Sequence, residues 1–439
     1  MQRKGFELQN LLQYMIIAKT FNSTLLIGYN LMKLGKKKIG IALLLLFMTN
    51  IFSIKGYDSP IYKNAIITIL ALLALYTFLC LGKIKNEHIR LRKFVWGLIL
   101  IPFLGFIPAY ILHGQGIGMS IISAHIHVGY FIFFFLFLTK IKEQEVLKIF
   151  CLFGVCWSAI EIIQQFTYPT YWFATRYETD DRGIEIRNGI YRFAVYGVNF
   201  GLILLFYCFE KFMQIKRKSY LVGMLIALIG IYLLATRQTI VMSVVCLFAG
   251  LFIMKKISVG SLVLLGIFST IIYLNADSLF GDFIEMTKEV DEDYIRFLAY
   301  EFYGITYNKG SALAFLLGNG TPKSPSEYFQ EITNYQEYYG LYRDDVGLIG
   351  IYSLYGIVYV IMIIWFYWYA FRNRKYLSPY LQMYVLYMAG TSVMLLHFGA
   401  HLPTIVTGSF ILYLIEKNIE RNKFTKTNQY EIQRNNPRL

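Results

Sequence analysis

Residues 219–254 read SYLVGMLIALIGIYLLATRQTIVMSVVCLFAGLFIM, thirty-six positions with a single charge, Arg237. Two apolar runs, 219–235 and 238–254, meet there at the turn Ala235-Thr236-Arg237-Gln238. Each run approaches the length a helix needs to cross about 30 Å of hydrocarbon. Inside a bilayer a helix satisfies its own backbone groups, so such a hairpin is stable there and out of place in water. The rest of the chain repeats the pattern. It has 439 residues, 56% hydrophobic and 16% charged, with a mean hydropathy of +0.49. A soluble chain would be about 25% charged. The other apolar runs are 39–55, 62–82, 94–112, 121–139, 145–166, 194–212, 257–275, 346–370, 378–398 and 402–416. Twelve spans would use roughly 240 positions. The sequence therefore predicts an all-α polytopic integral membrane protein with about twelve transmembrane helices, and excludes a disulfide scaffold, a disordered chain and a DNA-binding domain.

The charge of +15 is a topology signal. With the N-terminus on the cytoplasmic side, the inner segments carry 30 of the 42 Lys and Arg and 8 of the 27 acids; the outer loops carry 12 and 18, and Glu161 lies within a span. The inner face is thus +22 and the outer face −6, as the positive-inside rule requires. Both termini are then cytoplasmic. Segment 1–38 leads in, with an interfacial amphipathic helix expected over 7–33, the transmembrane domain covers 39–416, and a basic tail covers 417–439. The basic face is suited to anionic membrane lipids, and no nucleic-acid partner is expected. No cleavable signal peptide is visible. Cys80, Cys151, Cys156, Cys208 and Cys246 sit in apolar runs without CxxC spacing, as small buried hydrophobes do.

Two outer loops are long, 167–193 and 276–345, and loops beyond about 15 residues are usually functional or folded. In the second, Ser324-Pro325-Ser326-Glu327 fits a capping box with Pro at the first helical position, after which Tyr328, Ile332, Tyr335 and Tyr339 recur at helical spacing. Residues 289–304 also read as a helix. A helical cap over the outer face is expected. No internal repeat of the inverted-transporter kind is evident.

The outer face is rich in arginine: Arg176, Arg182, Arg187, Arg192, Arg237, Arg296 and Arg343. A guanidinium binds phosphate bidentately and stays charged beside lipid. Arg237, squeezed between two spans, either snorkels to lipid phosphate or is a fixed cation for a lipid-linked phosphate. Glu161 is an acid within a span, followed by Gln164 and Gln165; it serves an ion pair, or acid/base work, or sugar binding. Asp344 and Asp345 open the tenth span, either as Arg343 partners and a helix cap or as a base for a sugar hydroxyl. His397 and His401 are four apart, which suits metal, but a third ligand is missing; like His125 and His127 they also fit pore-lining polar positions. Gly114-Gln115-Gly116-Ile117-Gly118 follows no strand and is not a phosphate loop. The tyrosines of the second loop, among them Tyr294, Tyr335 and Tyr339, suit either sugar rings or ordinary packing.

Leu234-Ala235-Thr236-Arg237-Gln238 resembles the short hydroxyl-Arg turn of the O-antigen polymerase and ligase superfamily. Tyr191-Arg192-Phe193 through Asn199 resembles the segment closing its first large periplasmic loop, and Leu316-Leu317-Gly318-Asn319-Gly320 its Gly-x-Gly turn. Asp345-Val346-Gly347-Leu348-Ile349-Gly350, then Leu354-Tyr355-Gly356, resembles its Gly-punctuated span. The resemblance covers about residues 170–370, and the acids at 344 and 345 favour a polymerase over a ligase.

That resemblance implies a metal-independent membrane glycosyltransferase without cofactor. It would join undecaprenyl-pyrophosphate-linked oligosaccharide repeats, as donor and acceptor, on the periplasmic side of the bacterial inner membrane. Arg237 and Arg296, assisted by Arg192 or Arg187, would hold the pyrophosphate. Asp345, then Asp344, then Glu161, are the candidates for the base. A chain-length regulator stays open as a partner. The alternatives are a ligase acting on a lipid A core, another membrane glycosyltransferase, and a lipid-linked oligosaccharide flippase, which would need charges deep in its spans.

Overall fold

The computed structural model describes residues 36–55, 60–85, 87–174, 184–187, 189–255, 291–399 and 401–435. They are almost entirely helical. In chain order the helices are α1 (Lys36–Met48), α2 (Pro60–Ile84), α3 (Arg92–His113), α4 (Ile117–Thr139) and α5 (Glu143–Thr167). A two-stranded hairpin, β1 (Glu185–Arg187) and β2 (Ile190–Arg192), precedes α6 (Val198–Ile215), α7 (Lys218–Leu233) and α8 (Arg237–Ile253). Then come α9 (Asp291–Gly304), α10 (Ala312–Leu317), α11 (Glu327–Tyr339), α12 (Gly347–Arg372), α13 (Pro379–Thr391) and α14 (Leu402–Asn435). Among the described residues six helices, α2 to α6 and α12, are long and apolar enough to cross a membrane; α7 and α8 are shorter apolar helices. The segments 7–33, 257–275 and 276–290 lie outside the described residues.

Some apolar runs differ from the expected spans, for local reasons. Run 39–55 forms α1 and then a turn in which Asn50, Ile51, Phe52 and Ser53 all have positive φ. The chain leaves that turn to pair with the first outer loop: Lys55 N–H donates to the Trp172 carbonyl (2.6 Å) and Ala174 N–H to that of Ser53 (3.0 Å). Run 378–398 is helical only to Thr391. There the Thr391 and Ser392 hydroxyls bond back to Tyr387 and Met388 carbonyls (2.7 and 2.6 Å), which competes with helix continuation. The Ser392 carbonyl instead accepts from Leu348 N–H of α12 (2.8 Å). The capping signal near 324 operates two residues later: Ser326 is the N-cap of α11, its hydroxyl accepting from Phe329 N–H (3.1 Å).

Connections gather at two ends of the bundle. At the basic end, α14 staples the loops together. Glu416 accepts from the backbone N–H of Arg90 and Leu91 (2.8 and 3.2 Å). Asn418 accepts from Ser378 N–H (2.7 Å) and donates to Glu143 (2.7 Å), while Arg421 pairs with Glu143 at 3.0 Å. At the opposite end, α9 and α11 build a small second core of Ala299, Tyr303, Tyr307, Tyr328, Ile332, Leu341 and Val346. This subcluster is tied to the bundle at a break in α12. Gly356 (φ +76°) interrupts the helix, and the carbonyls of Ser353 and Leu354 are taken by Asn319 and Gly320 N–H (both 2.9 Å).

Candidate functional site

The turn that opens α8 is close to the end of α13. Arg237 is the first helical residue, behind Thr236 as N-cap and Ala235 at φ +51°. Its neighbour Gln238 donates to the Thr391 carbonyl (3.3 Å), and Thr239 accepts from Tyr387 (3.2 Å). The residues just past Thr391 carry the start of α12. Gly347 (φ +45°) lies against the backbone of Ser392 and Val393, so closely that a Cβ could not be accommodated. From the subcluster, Tyr300 reaches the same stretch, donating to the Val393 carbonyl (2.7 Å). Burial pushes the Tyr300 phenol above its ordinary range, while the charges of Arg296 and Asp345 act on it in opposite directions. The Arg237 turn, the start of α12 and, through Tyr300, α9 thus meet on residues 391–393.

Asp345 and Arg296 both lie within electrostatic range of Tyr300. Asp344 Oδ2 lies 3.7 Å from His401 Nε2 at the start of α14. Between them and the subcluster stands Arg343, whose Nε and Nη1 are buried without a hydrogen-bond partner beside Tyr303, Tyr307 and Tyr328. Burial raises the pKa of all three phenols; Tyr307 and Tyr328 share a short hydrogen bond. His397 bonds Thr391 Oγ1 at 2.6 Å, within the stretch 391–393 itself.

Glu161 belongs to a second group of contacts. It is fully buried, and Oε1 accepts from Val195 N–H (3.3 Å) with the Arg192 charge in range. One turn on, Gln164 accepts from Trp172 and Phe173 N–H (2.9 and 2.7 Å) and donates to the Phe173 carbonyl (3.0 Å). Gln165 clamps Tyr191 from both sides (2.6 and 3.1 Å). The polar residues at the end of α5 are hooks for the backbone of the first outer loop. Through that loop they place β2, and with it Arg192, against α7, the helix that leads to Arg237. Gln164→Ala removes three hydrogen bonds and should cost about 1–3 kcal/mol. The expected result is a lower melting temperature and faster protease cleavage between 168 and 196; an unchanged cleavage rate would refute the anchoring role.

Of the remaining expected site residues, Tyr335 packs on Phe302 (centroids 4.5 Å apart) and Tyr339 (6.0 Å), and Tyr339 is exposed. The side chains of Tyr294 and Arg187, and the whole of Arg176 and Arg182, lie outside the described residues. The structure also gathers residues that the sequence did not single out. His113 stacks on Tyr328 (4.1 Å), bonds Asn319 (3.1 Å) and meets Glu331 and Lys309 (3.4 and 3.5 Å) where the subcluster joins the bundle. Among the described residues no three His, Cys, Asp or Glu side chains are grouped to hold a metal ion. No protein-family model matches the sequence, and no curated protein matches it either.

Proposed function

We propose that the chain is a membrane glycosyltransferase that polymerises undecaprenyl-pyrophosphate-linked oligosaccharide repeats into a surface polysaccharide. What supports the reading is that the turn carrying Arg237, the helix carrying Arg296 and the start of α12, which follows Asp344 and Asp345, all bond residues 391–393 at the end of the apolar bundle opposite the basic one. In the topology proposed here, twelve spans place both termini in the cytoplasm of a bacterium. The inner membrane then presents the arginines, under a helical cap of α9 to α11, to the periplasm. A donor and an acceptor, both anchored in the outer leaflet, reach such a rim without leaving the bilayer, and their confinement supplies orientation.

The chemistry follows from charge. The acceptor hydroxyl attacks the anomeric carbon of the donor as its bond to pyrophosphate breaks. Arg237 and Arg296, assisted by Arg192 or Arg187, stabilise the charge growing on the leaving group. The acids before α12 bind the acceptor sugar or take part in removing its proton, and the exposed tyrosines of α11 offer faces to sugar rings.

The test uses the purified protein in nanodiscs with lipid-linked repeat from the native strain and a metal chelator. A ladder of lengths is expected. A single addition onto lipid A core would make the protein a ligase. Absence of product, from protein that still moves labelled lipid across vesicles, would replace the enzyme with a flippase.

A further inference from the structure

We infer that His401 takes the proton of the acceptor hydroxyl and that Asp344 holds its imidazole in place; this rests on the glycosyl-transfer reading above. Three observations lead there. First, of the two adjacent acids it is Asp344 that lies beside an imidazole, Nε2 to Oδ2 3.7 Å. Such distances commonly tighten when substrate closes the site. Second, both side chains are partly exposed, His401 52% and Asp344 36%. Three other histidines toward this end are already bonded. His397 bonds Thr391, His127 is fully buried against Tyr355 (2.9 Å), and His113 is buried against Asn319. Third, Nε2 is the ring nitrogen nearer the carboxylate, so that once the contact tightens to a hydrogen bond Nε2–H donates to Asp344 and the lone pair of Nδ1 is left for substrate. Asp344 then stabilises the imidazolium that forms, the role a carboxylate plays behind a catalytic histidine in other transferases and hydrolases.

The step balances as follows. The acceptor oxygen forms a bond to the anomeric carbon, and the bond from that carbon to the pyrophosphate oxygen breaks. The electron pair leaves with undecaprenyl pyrophosphate. The hydroxyl proton moves to His401 Nδ1 and from there to solvent, restoring the base.

The experiment follows ladder formation by the full-length protein in nanodiscs, with lipid-linked repeat from the native strain. His401→Ala should slow elongation about 100-fold, within the range for loss of a general base, and added imidazole should restore at least a tenth of the rate. Asp344→Asn should lower kcat about tenfold, leave KM unchanged and gain nothing from imidazole. His88→Ala, at the basic end, should change nothing. His401→Asn, closer in shape, is used if the alanine variant melts lower than wild type. The inference is overturned if His401→Ala and His401→Asn elongate within a few-fold of wild type, or if a correctly folded His401→Ala is not rescued by imidazole. A wild-type protein that yields no ladder overturns the polymerase reading itself and this inference with it; a wild-type ladder unchanged by either His401 variant overturns this inference alone.

Discussion

Replacing Arg237 by alanine is expected to lower repeat polymerisation about 10³-fold, and replacing it by lysine to lower it nearly as far. The position explains the size. Arg237 is the first residue of α8, a helix of 17 residues, and the N–H groups and dipole of a helix N-terminus favour an anion there. The guanidinium adds two parallel donors to that field, which a lysine ammonium cannot reproduce. Donors aimed at charge that develops only in the transition state are typically worth 10²–10³ in rate, and arginines on a transferring phosphoryl group up to 10⁵. The fold should survive, because the side chain is half-buried at a turn while α8 is held to α13 by Gln238 and Thr239 through bonds of their own. Melting temperatures within a few degrees of wild type are therefore expected for both variants. Full activity in Arg237→Lys would mean that only a positive charge at the membrane boundary is required, and would remove the bidentate role.

Much of the bundle was legible because hydrophobic length is a local property. Runs 62–82, 94–112, 121–139 and 145–166 lie within helices of about the expected extent, and 346–370 matches its helix to within one residue at its start. Legibility ends where side chains or loops intervene. Nothing in the composition of 39–55 announces the left-handed turn at Asn50–Ser53, whose conformation is tied to Trp172 and Ala174 far along the chain. Likewise Thr391 and Ser392 look apolar enough for a span, but their hydroxyls compete for the carbonyls that would extend it. The site shows the same division. Arg237 stands out in sequence as a lone charge between two apolar runs. The contact of Asp344 with His401 depends on how α13 turns, and Gln164 and Gln165 acquire meaning only once the loop backbone they hold is in place. Asn319 carried one local signal, its flanking glycines, without indicating what the turn would dock into.

That docking sets the second large effect, expected for Gly318→Ala and Gly356→Ala. The two glycines cross reciprocally. A Cβ on Gly318 would overlap the carbonyl of Leu354 and the N–H of Tyr355, and a Cβ on Gly356 would overlap the carbonyl of Leu316 and the N–H of Leu317. Both have the same extended backbone at positive φ, +74° and ψ 178° for Gly318, +76° and 176° for Gly356, a region essentially reserved for glycine and costing other residues about 1–3 kcal/mol. The clash adds to that, since both neighbours are backbone and cannot rotate away. Parting the segments would also release the Asn319 and Gly320 N–H bonds to Ser353 and Leu354, and with them the Asn319 side-chain bonds to Asn308 (2.8 Å) and His113 (3.1 Å). A loss of at least about 3 kcal/mol is expected for either substitution, read as a lower melting temperature in detergent or as failure to accumulate in the membrane. Gly118→Ala is the control, because its Cβ would meet nothing within 4 Å, and it should melt like wild type. If Gly318→Ala melted like Gly118→Ala, the crossing would not be what joins α10 and α11 to the break in α12. Activity separates the two consequences of losing it: because Asp344, Asp345 and Arg343 lead directly into α12, a crossing that sets their position should lower polymerisation even in whatever protein remains folded.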